Sequence, residues 1–102
     1  MSCEEKWSNL IIKLEPDHIE VKTGTGLWVR AYIDSDKVYV DKAVVNLPSS
    51  RINNRRKISK NDFMLVCSYY DRWVSGNVGI RHEVSRLSRN TAYIFALIAY
   101  LN

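Results

Sequence analysis

The sequence predicts an α+β fold, in which an N-terminal helix and a three-stranded antiparallel sheet pack on two to three C-terminal helices. Apolar residues repeat with helical spacing at both ends of the chain, and they alternate with polar residues in the stretch between. The chain has 102 residues, of which 46% are hydrophobic and 25% charged, as is ordinary for globular proteins. We therefore expect a single domain over residues 1–102.

The first helix is predicted over residues 3–14. Ser2 and Glu5 have the spacing of a capping box, which satisfies free backbone N–H groups at a helix start. Pro16 would end the helix. Four apolar residues between them are spaced i, i+3, i+4 and i+7 and share one face: Trp7, Leu10, Ile11 and Leu14.

Three strands are predicted next, at residues 19–21, 27–33 and 38–40, which are rich in β-branched and aromatic residues. Residues 24–26 and 34–36 supply the turn-forming Gly, Asp and Ser that connect such strands. The pattern indicates an antiparallel meander. Its second face would carry three aromatic side chains: Trp28, Tyr32 and Tyr39.

The C-terminal half predicts two helices with a less regular segment between them. Ser59 would cap the first of these helices, and Gly76 with Asn77 would end it. Asn90 is the predicted N-cap of the last helix. Residues 80–87 fit either a short helix or an irregular segment.

The two halves of the chain differ in charge. Residues 1–50 hold six Lys/Arg and eight Asp/Glu, a net of −2, and residues 51–102 hold nine and three, a net of +6. Most of these basic residues are candidate phosphate ligands: Arg51, Arg55, Arg56, Lys57, Lys60, Arg81, Arg86 and Arg89. Arginine binds phosphates with two parallel hydrogen bonds, so the basic half predicts a nucleic-acid-binding face. A solvated face that keeps the protein soluble is the alternative interpretation.

Residues 83–93 contain a turn followed by a helix start. In a helix-turn-helix, the second helix begins with polar residues that meet the DNA, and its later turns are buried. The segment resembles the start of the recognition helix in winged helix-turn-helix bacterial repressors, whose preceding helix is about one turn longer. The resemblance implies a winged-helix-like arrangement in which four side chains approach DNA: Ser88, Arg89, Asn90 and Thr91.

A second pattern spans residues 19–101. After the meander it has I-S-x-x-x-F at residues 58–63, W-x-x-G at residues 73–76 and N-T-A-Y-I at residues 90–94. In these motifs the chain resembles a small uncharacterised module of bacterial mobile DNA, found in gene-cassette and restriction-associated proteins. The resemblance implies a DNA-related or defence-related setting and no particular activity.

The sequence predicts neither a catalytic nor a metal site. The basic half lacks the clustered carboxylates that a metal-dependent nuclease needs. The spacings of Cys3, Cys67, His18 and His82 match no zinc motif. We therefore expect no cofactor and no enzymatic activity.

No apolar run approaches the ~20 residues that a transmembrane helix needs. The acidic N-terminus also lacks the basic start of a signal peptide. These features predict a soluble cytoplasmic protein with no membrane contact. In that compartment Cys3 and Cys67 should be reduced and unpaired.

The sequence thus predicts a small nucleic-acid-binding accessory protein, with duplex DNA as its favoured partner. Residues 51–60 would hold phosphates, and residues 88–91 would make closer contacts. The alternative is a protein-interaction or homo-oligomer module of a mobile gene cassette, with no catalytic activity and with the aromatic sheet face as its contact. An arginine surface at the start of the last helix would favour the first function, and an exposed aromatic sheet face would favour the second.

Overall fold

A computed structural model describes residues 2–76 and 79–102, without the side chain of Arg81. Asn77, which was predicted to end the second long helix together with Gly76, lies outside the described residues. The described chain forms helix α1 (Cys3–Leu14), strands β1 (Ile19–Lys22), β2 (Trp28–Asp34), β3 (Lys37–Lys42) and β4 (Arg56–Ile58), and helices α2 (Lys60–Val74), α3 (Ile80–Ser85) and α4 (Thr91–Leu101). The predicted α+β class is confirmed.

Helix α1 begins and ends where the sequence predicts. The Ser2 hydroxyl accepts a hydrogen bond from the Glu5 backbone N–H at 3.1 Å, and a Glu5 carboxylate oxygen accepts one from the Ser2 N–H at 3.3 Å. Hydrogen bonds from the backbone and the side chain of Ser2 to the Glu5 carboxylate lower its pKa. Leu10 and Leu14, on the predicted apolar face, are buried in the core.

The sheet is an antiparallel meander in the order β1-β2-β3-β4. Ser35 and Asp36 connect β2 to β3 with φ angles of 52° and 66°. Two such residues in a row form the tight hairpin turn whose twist matches that of the strands. The predicted turn at residues 34–36 is confirmed.

Strand β4 makes the sheet four-stranded rather than three-stranded. It pairs with β3 in a register that places Ile58 opposite Val38, Lys57 opposite Tyr39 and Arg56 opposite Val40. Because side chains alternate across a strand, Arg56 points to the same face as Val40 and Lys57 to the same face as Tyr39. A basic stretch that the sequence assigned no regular structure therefore forms one edge of the sheet.

One face of the sheet packs against the helices in a shared core. The sheet contributes a row of buried aliphatic side chains: Val21, Val29, Ala31, Val38, Val40 and Ile58. Helix α4 lies among α1, α2 and β1 and is apolar nearly all round. Five consecutive residues of α4 are buried: Ile94, Phe95, Ala96, Leu97 and Ile98. Helix α4 is thus a core helix. A recognition helix must instead be exposed to enter a DNA groove.

A disulfide bond joins Cys3 in α1 to Cys67 in α2, with 6.0 Å between their Cα atoms. The expectation of two unpaired thiols is therefore wrong. The cysteines are 64 residues apart in sequence, and they meet because α1 and α2 pack side by side. The rings of Trp7 and Phe63 are 5.2 Å apart at the same contact.

No helix in residues 2–76 and 79–102 is both long enough and apolar enough to span a bilayer.

Candidate nucleic-acid interface

A cleft of about 490 Å³ opens between the segment that leads into β4 and the start of α4. We call it the basic cleft. Among the described residues, five basic residues and no acidic residue line it. The residues that line it are Arg51, Ile52, Asn53, Asn54, Arg55, Arg56, Lys57, Arg89, Asn90 and Tyr93.

Six of the eleven residues that the sequence singled out meet in this cleft. Four of them belong to one segment, and Arg89 and Asn90 join them from the turn before α4, more than 30 residues along the chain. The meeting depends on β4, because its pairing with β3 brings the basic segment to the sheet edge beside α4. The six predicted residues that line the cleft are Arg51, Arg55, Arg56, Lys57, Arg89 and Asn90.

Lys60 and Arg86, two of the remaining predicted residues, do not line the cleft. Lys60 forms an ion pair with Glu4 at 2.9 Å on the α1–α2 surface. Arg86 is exposed at the end of α3 and does not line the cleft. The side chain of Arg81 lies outside the described part of the structure.

Ser88 and Thr91 are buried and build the turn between α3 and α4. The Thr91 hydroxyl contacts the carbonyl oxygens of Ser88 at 2.9 Å and Val84 at 3.3 Å, and the Ser88 hydroxyl accepts from the Asn90 N–H at 3.1 Å. Only 7% of Ser88 and 3% of Thr91 is exposed. Neither side chain is therefore exposed enough to make the predicted contact with DNA.

Asn90 occupies the N-cap position of α4, but its side chain makes no capping hydrogen bond. Its amide nitrogen instead donates to a carboxylate oxygen of Asp62 at 3.0 Å and to the carbonyl of Lys57 at 3.5 Å. The predicted N-cap position of Asn90 is confirmed, but the side-chain oxygen that would accept the capping hydrogen bond makes none. Asn90 thus ties three elements together at the cleft wall. Among the described residues, its buried carbonyl oxygen has no hydrogen-bond donor.

Arg56 is half-buried on the helix side of the cleft. Its guanidinium lies over the Tyr93 ring, 5.7 Å from the centroid, and donates to the Arg89 carbonyl at 3.5 Å. The sequence favoured core or rim packing for Tyr93, and its helical spacing gave no sign of an arginine partner. The ring and the carbonyl restrict Arg56, so its charge is held in place before any ligand arrives.

Arg55 points to the opposite face of the sheet. It forms an ion pair with Asp34 at 2.7 Å, and the Tyr32 hydroxyl lies 3.5 Å away. The hydrogen bonds to Asp34 and Tyr32 raise the pKa of Arg55, and the bond from Arg55 lowers the pKa of Asp34. This pair is solvent-exposed, so it orients the guanidinium more than it stabilises the fold.

Arginines lie over the two tyrosines on the outer face of the sheet. Arg30 lies over Tyr32 with 4.8 Å to the ring centroid, and Arg55 lies over Tyr39 with 3.8 Å. The two tyrosine rings are stacked 5.9 Å apart. We call this group the aromatic ladder, and its four members are Arg30, Tyr32, Tyr39 and Arg55. The strand pattern predicted the two tyrosines on this face, whereas Arg30 lies in the acidic half of the chain and outside every basic cluster of the sequence.

Three arginines of the cleft carry charge that no protein group balances. Within residues 2–76 and 79–102, no carboxylate lies within ion-pair distance of Arg51, Arg56 or Arg89. The same residues contain no group of three or more His, Cys, Asp and Glu side chains that could hold a metal ion. The described part of the cleft therefore has an excess of positive charge.

No family model, curated protein or solved structure shows significant similarity to the chain.

Proposed function

We propose that the protein binds nucleic acid, with the phosphate backbone held in the basic cleft. The observation that carries this proposal is that five basic residues and no acidic residue line one cleft in the described part of the chain. Nucleic acids carry closely spaced phosphate charges, and a cluster of arginines gains affinity by releasing their counterions. The proposal includes no catalytic step.

The cleft offers the geometry that phosphate binding requires. Arg51 and Arg89 are exposed, so their planar guanidinium groups can each bind a phosphate with two parallel hydrogen bonds. Asn53 and Asn54 add amide groups of the kind that commonly contact backbone oxygens. Arg56, held by Tyr93, supplies a fixed charge at the helix side of the cleft.

Duplex DNA is the partner that the sequence favours, and the resemblance to modules of bacterial mobile DNA points to the same class of ligand. The proposed setting is the cytoplasm. Disulfide bonds are rare in reducing compartments, so the bond between Cys3 and Cys67 is evidence against a cytoplasmic location.

A salt titration of binding tests the proposal. Fluorescently labelled duplex and single-stranded DNA are titrated with the full chain at several salt concentrations. At physiological salt we expect a Kd of roughly 10⁻⁴–10⁻⁶ M, with an affinity that falls steeply as salt rises. The double variant Arg51→Ala, Arg89→Ala should weaken binding to every sequence and flatten the logarithmic salt slope by about two.

The control variant is Lys13→Ala, Arg72→Ala, which removes the same charge from exposed positions outside the cleft. It should bind nearly as the wild type does. Equal losses in the two double variants would mean that net charge alone attracts the ligand. If no nucleic acid associates at low ionic strength, the arginines are a solvated surface and the proposal fails.

A second candidate function, contact with another protein, is favoured by a different surface. The loop at residues 43–48 exposes 68% of Val44, 74% of Val45 and 82% of Leu47, and the Glu20 carboxylate holds its backbone. Three exposed aliphatic side chains on a fixed loop are typical of a contact surface. If copies of the chain associate there, Val45→Ser with Leu47→Ser should abolish the concentration-dependent rise in mass seen by analytical ultracentrifugation. A monomer at every concentration would exclude self-association.

A further inference from the structure

We infer that the preferred ligand is a single strand, whose bases stack on the aromatic ladder while its phosphates occupy the basic cleft. This inference rests on the proposed function, and it adds a second contact surface and a choice between ligand forms.

The ladder is a set of stacked planes that the fold supplies ready-made. Tyr32 and Tyr39 face each other across β2 and β3 at directly paired positions, and their rings are inclined by only 27°. Guanidinium groups lie over both rings at 4.8 and 3.8 Å. Aromatic rings and arginine planes are the two kinds of surface on which proteins stack unpaired bases.

The face that carries the ladder is open. The helices pack against the other face of the sheet, where the aliphatic side chains are buried. Tyr32 and Tyr39 are only half-buried, and the Arg55 side chain retains 42% of its accessible surface. Because guanidinium groups lie over the tyrosine rings, a base reaches these rings when the side chains of Arg30 and Arg55 move aside, and no movement of the backbone is needed.

The ladder and the cleft are continuous across the edge strand β4. Arg55 belongs to both, since it lines the cleft and covers Tyr39. Lys57 also lines the cleft, and the β3–β4 register places it beside Tyr39 on the outer face. One strand of nucleic acid can thus pass from cations that hold phosphates to planes that hold bases.

The outer face carries both cations and carboxylates. Asp34 is paired with Arg55, whereas Glu20 is hydrogen-bonded to backbone N–H groups of the loop at residues 44–46 and keeps its negative charge. Arg30 and Lys57 remain as cations beside the tyrosines. Asp41 and the ionised Glu20, which both lie opposite Arg30 in the register, are the acidic groups that oppose an anionic ligand among the described residues of this surface.

A duplex fits this arrangement less well than a single strand does. In a duplex the faces of the bases are already stacked on one another, so only the backbone could contact the ladder. Entry of a helix into the major groove is the other common route to duplex recognition. Helix α4, which the sequence indicated for that role, is buried in the core.

The test compares three labelled ligands of equal backbone length: a thymidine strand of roughly 12 nucleotides, an abasic strand, and a duplex. Affinity is measured with the full chain by fluorescence anisotropy at low salt. The thymidine strand should bind about tenfold more tightly than the abasic strand, and more tightly than the duplex. Tyr39→Leu and Tyr32→Leu should each lower its affinity about fivefold or more without changing the salt slope, whereas Tyr39→Phe should bind as the wild type does.

Tyr100→Leu is the matched control, because Tyr100 is 46% exposed on α4 and lies outside the ladder and the cleft. It should leave binding unchanged, and circular dichroism verifies the fold of every variant. Equal affinity for abasic and thymidine strands, or wild-type binding by both leucine variants of the ladder, overturns the inference. In that case the proposed function still stands if Arg51→Ala, Arg89→Ala weakens binding to all ligands. Only the absence of all salt-sensitive binding overturns both.

Discussion

Glu20 organises a loop of the protein with a single carboxylate. Its oxygens accept hydrogen bonds from the backbone N–H groups of Val44 at 2.6 Å, Val45 at 3.1 Å and Asn46 at 2.8 Å, and from the Asn46 side chain at 2.8 Å. Burial acts to raise its pKa, but the bonds from Val44, Asn46 and Val45 together lower the pKa of Glu20 to about 2. The ionised carboxylate therefore fixes the loop that displays the exposed aliphatic side chains.

The first prediction concerns the pH dependence of stability. Because the pKa of Glu20 falls from its ordinary value of 4.5 to about 2 on folding, its ionised form stabilises the fold above pH 4.5. That stabilisation is lost as the pH drops towards 2. Glu20→Gln should lower the melting temperature at pH 6 and should lose less stability than the wild type between pH 4.5 and 2.

Thermal melts followed by circular dichroism measure both effects. Glu15→Gln, at an exposed carboxylate just after α1, serves as the control and should keep the wild-type pH profile. An unchanged profile in Glu20→Gln would mean that the loop holds its shape without the carboxylate.

At the scale of elements, local signals predicted the helices well and missed one strand. The bounds of α1 could be predicted because its cap and its apolar spacing depend only on residues close together in the sequence. Strand β4 has only three residues, two of them basic, and its pairing with β3 defines it. No sequence pattern within Arg56–Ile58 could show a partner that lies about 18 residues earlier in the chain.

The candidate site shows the same division. Charge counting found the basic segment and Arg89, because clusters of like charge are visible in sequence. It did not find Tyr93 or Arg30, whose roles depend on which guanidinium lies over which ring. The polar start of α4 suggested a recognition helix, whereas the packing of α4 against α2 and β1 decides its burial.

The second prediction concerns the bond between α1 and α2. The bond between Cys3 and Cys67 closes a loop across 64 positions of the sequence. A disulfide bond typically stabilises a folded protein by about 2–4 kcal/mol. Denaturant unfolding with a reducing agent should therefore require less denaturant than unfolding without it. The fold should persist on reduction, because the Trp7–Phe63 contact and the Lys60–Glu4 ion pair also join these helices.

The control for this experiment is Cys3→Ser, whose unfolding midpoint should be low and insensitive to the reducing agent. Thiol titration of unfolded, non-reduced wild type should detect no free thiol. Detection of two thiols in that sample would contradict the disulfide bond.

At the scale of the whole molecule, both halves of the chain contribute to one core. The connected cluster of buried residues draws on α1, all four strands and the three C-terminal helices. The charge division between the halves is therefore a property of the surface. The cleft uses the basic half, and the ladder adds Arg30, Tyr32 and Tyr39 from the acidic half. The single domain predicted over residues 1–102 stays a prediction that unfolding experiments can address.

The last prediction is that the chain unfolds in one cooperative transition. Leu10 in α1 and Val40 in β3 are both fully buried in the shared cluster. Leu10→Ala should cost about 2–5 kcal/mol and Val40→Ala somewhat less, because each leaves a cavity in that core. In each variant the whole transition should shift, since neither the helices nor the sheet has a core of its own.

Two probes verify this: circular dichroism reports the helices, and tryptophan fluorescence reports α1, β2 and α2 through Trp7, Trp28 and Trp73. Coincident curves are the mark of two-state unfolding. Val74→Ala, at a side chain that is 59% exposed, is the control and should change the stability little. Separate transitions for the two probes, or a loss confined to the helical signal in Leu10→Ala, would show that the sheet and the helices fold as independent units. The cleft, which needs β4 beside α4, would then form only after the two units dock.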